Sequence, residues 1–301
     1  MTGPPARSLT QRWVAGRLPA RPARAHKGDF GRLLVVAGST EYPGAAMLTA
    51  LGAMRAGAGV VRVAVAESVA ARLAGAVPEL TWMVLDEEAP GLIAPSGWRR
   101  VTTDASGYDA VVVGPGLGRQ PATQRRTRNL VAALRVPAVI DADGLNALAD
   151  GRSWWTGLHA SLVLTPHPGE FGRLVRGDAP ASDDDDARGQ AALDAAQRWR
   201  QVVVLKGANT VVAGPDGELL RSDVSSPALA TAGSGDVLAG VIGAFLAGGV
   251  SPFEAAACGV AVHGAAGLLA EDRIGRAGVM ARDVAALVPA AIEQLRGGRG
   301  R

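Results

Sequence analysis

The 301-residue sequence predicts an α/β fold, a mostly parallel central sheet covered by helices on both faces. Three observations carry that expectation. Short apolar runs recur without polar alternation, the pattern of strands buried on both faces. Helix-length segments separate them, as right-handed βαβ crossovers require. The runs also tend to end in glycines or polar clusters, at the edge where open α/β sheets bind ligands.

In chain order, the strand-like runs fall at 33–36, 60–65, 110–113, 138–140, 162–164 and 202–205. Helices are expected near 45–56, 123–134 and 187–199. A hairpin follows, with Thr210-Val211-Val212 and Glu218-Leu219-Leu220 flanking the turn sequence Gly214-Pro215-Asp216-Gly217. Three helices close the chain, near 235–247, 252–270 and 281–295; the first two are rich in Ala and Gly on every side, which suits tight burial. The acidic run from Ser182 to Asp186 precedes a helix and is expected to supply negative charge at its N-terminus. The domain is expected over 26–297, behind a basic extension over 1–25.

Composition narrows the function classes. With 48% hydrophobic and 20% charged residues the chain is neither disordered nor fibrous. One cysteine, Cys258, excludes an internal disulfide and any Cys-rich zinc site, and fits a reducing, cytoplasmic setting. The net charge is +3, but residues 1–28 carry six positive charges and no acid, so the remainder is at −3. A nucleic-acid binder would need a basic stripe on the folded body. Here the positive charge sits in the leader and in a short tail (Arg296, Arg299, Arg301), both expected to be solvated. The apolar stretch 237–250 falls short of the ~20 residues of a membrane span.

The familiar phosphate and catalytic motifs are missing. Neither lysine, Lys27 or Lys206, belongs to a P-loop, and Gly114-Pro115-Gly116 lacks the third glycine of a dinucleotide fingerprint. No H-E-x-x-H or G-x-S-x-G is present.

The strongest positive segment is Thr231-Ala232-Gly233-Ser234-Gly235-Asp236, which leads straight into an apolar helix. Small residues let a ligand approach the backbone, and the free N–H groups of a first helical turn favour an anion. Asp236 reads either as a general base for a phosphoryl acceptor or as a first-turn acid favoured by the helix dipole. Lys206-Gly207-Ala208-Asn209-Thr210 follows a buried strand and suits a phosphate contact, or an ordinary surface turn. His167, in the proline-bounded loop Thr165-Pro166-His167-Pro168, is a ligand contact or a loop histidine. Asp141 and Asp143 at a strand end could face one side and orient Mg²⁺ or a hydroxyl, or could form a turn with Asp143 capping a short helix. His263 and Cys258 read as core residues.

Taken together, these segments resemble the ADP-dependent (S)-NAD(P)H-hydrate dehydratase family, of ribokinase-like fold. The resemblance runs from His26 to the last helix through His26-Lys27-Gly28-Asp29-Phe30-Gly31, Ala37-Gly38-Ser39, Pro43-Gly44-Ala45-Ala46, Gly114-Pro115-Gly116-Leu117-Gly118, Asp141-Ala142-Asp143-Gly144-Leu145-Asn146, Thr165-Pro166-His167-Pro168-Gly169-Glu170-Phe171, Lys206-Gly207-Ala208-Asn209-Thr210 and Gly233-Ser234-Gly235-Asp236. It implies ADP-dependent removal of water from C6-hydrated NADH or NADPH, with AMP and phosphate released. By resemblance, Asp236 is the base and Gly233, Ser234 and Gly235 form the anion hole. Lys206, Gly207, Ala208, Asn209 and Thr210, with Gly235, bind the adenine nucleotide. Ala45 or Ala46, Gly116, His167 and Asp236 contact the hydrated cofactor, and Asp143 and Asn146 are further candidates. Mg²⁺ is expected with the phosphates, its protein ligands being left open. The resemblance also implies a homo-oligomer, commonly a tetramer. The larger family members carry an amino-terminal epimerase domain; with some 25 residues before the match, action on the S epimer alone is expected. The competing reading is a ribokinase-like sugar or vitamin-precursor kinase. Against it, Ala230-Thr231 stands where sugar kinases show Asp-Thr, and Asp236 where vitamin-precursor kinases often show Cys.

Overall fold

A computed structural model of the chain describes residues 6–297 apart from 23 and 182. Among the described residues the strands are β1 (Arg7–Ser8), β2 (Arg32–Val36), β3 (Val60–Ala66), β4 (Thr81–Leu85), β5 (Glu87–Ala89), β6 (Leu92–Ile93), β7 (Ala110–Val113), β8 (Ala138–Ile140), β9 (Leu162–Leu164), β10 (Val202–Leu205), β11 (Val211–Ala213) and β12 (Leu219–Arg221). The α-helices are α1 (Gln11–Ala15), α2 (Pro43–Ala56), α3 (Glu67–Leu73), α4 (Pro95–Asp104), α5 (Pro121–Ala133), α6 (Asp143–Ala149), α7 (Pro168–Val175), α8 (Asp185–Trp199), α9 (Ser234–Ala247), α10 (Pro252–Ile274) and α11 (Ala281–Leu295).

Ten strands form one sheet in the order β1-β12-β11-β10-β9-β8-β7-β2-β3-β4, and β5 pairs with β6 as a small ribbon. Within the large sheet only β11 runs against its neighbours. The chain leaves β2 towards β3 and β4, then returns to lay β7 on the other side of β2. With right-handed crossovers, that reversal puts α2 and α3 on one face and α4 to α8 on the other. It also opens a crevice at the carboxyl ends of β2 and β7, the position where such sheets take ligands. There Gly38 donates its N–H to Pro115 O at 2.7 Å, and Gly114 donates to Val36 O at 3.1 Å.

The central strands are buried throughout their apolar runs, with only Arg32 at the start of β2 exposed, as those runs predict. α9 lies over β2, β7 and β8 and packs on α2, α10 and α11. Close approach of α9 to α2 depends on glycine. A Cβ on Gly240 would stand 2.0 Å from Thr49 O, and one on Gly52 would stand 2.4 Å from Val237 O. α10 is long and apolar enough to cross a membrane, yet 78% of its apolar window is buried inside the fold, which makes it a core helix.

The leader departs from expectation. Residues 7–8 add a parallel strand to β12, α1 packs against α10 and α11, and Val14 and Leu18 are buried. Trp13 meets Phe253 edge-on at 6.4 Å, and Arg17 pairs with Glu254 at 2.9 Å. Charge count saw the arginines and missed the apolar residues set between them. Residues 1–5, 23, 182, Arg299 and Arg301 lie outside the described region.

Candidate active site

Helix α9 begins at Gly233, whose φ of 85° lies in the left-handed region that glycine adopts without strain. Ser234 donates its N–H back to Thr231 O at 3.2 Å. The next two N–H groups, of Gly235 and Asp236, belong to the first turn and have no helical acceptor. The helix thus starts with open donors and a positive dipole end, flanked by residues with little side chain.

Three strand ends and the first turn of α7 deliver charged and polar groups to this point. Asp141 follows β8, Thr165 follows β9, Glu170 is in the first turn of α7, and Lys206 follows β10. Lys206 Nζ lies 2.8 Å from Asp141 Oδ1 and 3.8 Å from Glu170 Oε2. Thr165 Oγ1 donates to the same Asp141 oxygen at 2.8 Å. A Cβ on Gly235 would stand 3.3 Å from Lys206 Nζ, so the ammonium faces the anion loop directly. Asp143 Oδ2 accepts the Gly118 N–H at 2.9 Å, and its Oδ1 accepts from Asn146 Nδ2 at 3.2 Å. Asn146 in turn accepts from Arg173 Nε at 2.9 Å.

These charges set the proton affinities. Burial, followed by the Asp141 carboxylate, pushes Asp236 up to about 7, although Lys206 pulls the other way. Burial also raises Glu170. Burial on its own would lower Lys206, but the carboxylates of Asp141 and Glu170 outweigh it and hold the ammonium above its usual range. Burial, then Lys206, lowers His167. A carboxyl near neutrality beside a fixed cation has the proton affinity a general base needs.

On one side of Asp236 lies a cavity of about 410 Å³. Lys206, Gly207, Ala208, Thr210 and Gly235 line it, together with Ser234. Asn209 is turned away, its amide donating to Asp185 Oδ2 at 2.9 Å. Its backbone is in the left-handed region with φ 55°, which spends the side chain on shaping the loop. On the other side is the crevice. A Cβ on Gly116 would stand 2.7 Å from Ala45 Cβ, so these two positions meet across it. Ala46 is fully buried behind Gly38 and offers no surface there. His167 caps α7, accepting the Gly169 N–H on Nδ1 at 3.0 Å, and leaves its ring half exposed with Nε2 3.5 Å from Glu170 Oε1.

Two residues of the site escape a reading of the sequence. Glu170 falls in the segment Thr165–Phe171 but carries no role there; what marks it is the H-x-x-E spacing of a capping box shared with His167. Arg188 has none. It sits inside α8, 1% exposed, and its guanidinium donates to the carbonyls of Ala208 at 2.6 Å, Leu205 at 3.3 Å and Lys206 at 3.4 Å. The acidic run does supply the α8 cap, with Asp184 accepting from Ala187 N at 2.9 Å. Asp185 goes further and binds both Asn209 and Arg188.

A divalent cation has no ready-made protein cage among the described residues. Asp141 is held by Lys206 and Thr165, and Asp143 by Gly118 and Asn146. That donor set fits Mg²⁺ of the phosphoryl-transfer kind, which takes one or two carboxylates and fills its shell with phosphate and water.

Comparison with known proteins agrees with this geometry. Residues 33–290 match the family described as NAD(P)H-hydrate dehydratase. An ADP-dependent (S)-NAD(P)H-hydrate dehydratase of Xanthomonas campestris is 39% identical over 298 residues, covering 98% of this chain and 99% of that protein. A bifunctional NAD(P)H-hydrate repair enzyme of Moorella thermoacetica is 42% identical over 289 residues, and there this chain spans 54% of the relative's length. Among solved structures, an ADP/ATP-dependent NAD(P)H-hydrate dehydratase of Bacillus subtilis co-crystallised with ATP and Mg²⁺ superposes with a TM-score of 0.82 at 31% identity, covering 96% of this chain and 99% of that one. By these matches, this chain belongs to the NAD(P)H-hydrate dehydratase family.

Proposed function

We propose that the chain dehydrates the S epimer of C6-hydrated NADH or NADPH, with ADP as co-substrate and AMP and phosphate as products. One observation carries the reading: Asp236 stands in the open first turn of α9, next to Ser234 and Gly235, which line a cavity together with Lys206, Gly207, Ala208 and Thr210.

The order of events follows from leaving-group chemistry. Hydroxide leaves carbon poorly, and phosphate leaves well. Asp236 takes the proton of the C6 hydroxyl, whose oxygen attacks the terminal phosphorus of ADP. The bond from that phosphorus to AMP breaks. The N–H groups around Gly235 and the Lys206 ammonium stabilise the charge on the transferring phosphoryl group. Asp141 and Asp143 are the carboxylates that would hold Mg²⁺, which would neutralise further charge on the phosphates when bound. The ring nitrogen's electron pair then expels phosphate, and loss of the C5 proton restores the reduced nicotinamide. Ala45 and Gly116 fit the role of substrate walls, and His167, held neutral, fits a polar contact at the rim. Restriction to the S epimer rests on the named relatives that match over nearly their whole length. A cytoplasmic location and a homotetramer belong to the same reading.

The test is one assay. Hydrated NADH, ADP and Mg²⁺ are mixed with the purified chain, and the reduced-nicotinamide absorbance is followed, with ATP and nucleotide-free controls. Restored absorbance with AMP release is the expected result. A stable phosphorylated alcohol with no restored absorbance would show a kinase of the same fold instead.

A further inference from the structure

The mechanism uses the backbone of the anion loop and leaves the Ser234 side chain unexplained. Ser234 is 4% exposed, so its hydroxyl is not a solvent contact. Among the described residues it has one side-chain neighbour within hydrogen-bond distance, His263 of α10, itself 8% exposed and lining the nucleotide cavity. His263 Nε2 lies 3.0 Å from Ser234 Oγ and 3.0 Å from the Ser234 carbonyl oxygen.

Those two contacts fix the direction of every proton. A carbonyl oxygen only accepts, so Nε2 must carry the hydrogen. Burial keeps the ring neutral, with its proton affinity lowered to about 4, so Nδ1 is the bare nitrogen. The single Nε2–H is shared between the carbonyl and the hydroxyl of Ser234. The hydroxyl therefore receives from the histidine and cannot donate to it. Its own proton is left for another acceptor. Ser234 stands at the first position of α9, where a phosphate oxygen is the acceptor that the open N–H groups also address.

We propose that His263 is a positioning residue: by donating to Ser234 it turns the serine hydroxyl into an added donor for the terminal phosphate of the nucleotide. The inference rests on the ADP site proposed above. It gives a buried histidine on an apolar helix a part in nucleotide selection rather than in packing alone. It also ties α10 to the loop at the atom that matters, since Nε2 holds the Ser234 carbonyl as well.

Calorimetric titration of the full chain with ADP and with AMP tests this without any turnover. His263→Leu removes the donor. His263→Gln replaces it, since the glutamine amide reaches about as far as Nε2. His263→Leu is expected to weaken ADP about tenfold and to leave AMP, which lacks the terminal phosphate, within about twofold; His263→Gln is expected to restore most of the ADP affinity. Ser234→Ala should match His263→Leu, and the double variant should be no weaker than either alone. A merely structural histidine would weaken ADP and AMP together, or show no rescue by glutamine, and either result overturns the proposal. Equal ADP binding by wild type and His263→Leu overturns it too, while leaving the dehydratase reading standing. Wild-type chain that binds no ADP at all sinks both.

Discussion

The cavity bounded by Lys206 and His263 and the crevice between Gly116 and α2 lie on either side of Asp236, yet they are built by different means. The cavity is made with side chains and with a loop whose carbonyls are held from below by a buried guanidinium. The crevice is bounded by close-packed backbone: a Cβ at Gly116, Gly38 or Gly114 would stand 2.7, 2.9 or 1.9 Å from its nearest neighbour, so each position admits glycine alone. Under the proposed function one side would recognise by donors and charge and the other by shape. The two should therefore fail in different ways when altered.

The largest effect belongs to the residue they share. Asp236→Asn should lower kcat by about 10²–10⁴, the usual span for a general base, with ADP affinity kept. Steady-state kinetics beside a binding titration separates the two. A loss of ADP binding with the base would mean that the two sides are not independent.

Next comes the crevice. Gly116 has φ 64°, so an alanine there is strained as well as crowded. Gly116→Ala should raise KM for the hydrated cofactor about tenfold, equivalent to ~1.4 kcal/mol, with KM for ADP within about twofold. On the opposite side, Arg188→Met should do the converse: KM for ADP up roughly 5- to 30-fold, from ~1–2 kcal/mol of lost loop support, with kcat at saturating ADP little changed. If both variants move both KM values, the division drawn between shape and charge is wrong.

The smallest effect is in pH dependence. As the proposed base, Asp236 with a proton affinity near 7 must be ionised to act, so kcat/KM for the hydrated cofactor should rise with pH through about 7 and then level. Stability runs the other way. A carboxyl whose folded value is raised binds its proton more tightly in the native state, so its contribution is fully present below the unfolded value of 3.8 and is lost as pH rises through about 7. Asp236→Asn should therefore raise Tm by about 2–4 °C at pH 8, the shift expected for ~1 kcal/mol, and by less at pH 5. No difference between the two pH values would mean that the burial of Asp236 costs nothing.

Much of this architecture is legible in the sequence because burial leaves a simple mark. The apolar runs 33–36, 110–113, 138–140, 162–164 and 202–205 appear as strands at those positions, with both faces covered. The helices near 45–56 and 187–199 begin two residues earlier than expected, at Pro43 and Asp185, because helix starts are written in proline and in acidic caps rather than in apolar period. Strand β4 leaves no such mark: Thr81–Leu85 lies at the sheet edge and alternates between buried and exposed positions. The site divides in the same way. Lys206 stands out as one of only two lysines, and Gly233–Asp236 by its small residues ahead of a helix. Arg188 looks like any helical arginine among many, because what it touches is the backbone of a loop far along the chain. His263 reads as a satisfied core histidine and is one, but which atom satisfies it is a fact of tertiary packing.

The short strand at Arg7–Ser8 has a practical corollary. It covers the outer rim of β12, and α1 behind it shields the flanks of α10 and α11. A protein trimmed to start at residue 26 would retain every candidate site residue while uncovering unpaired backbone groups on the rim of β12 and a strip of greasy surface, a recipe for edge-to-edge self-association during expression.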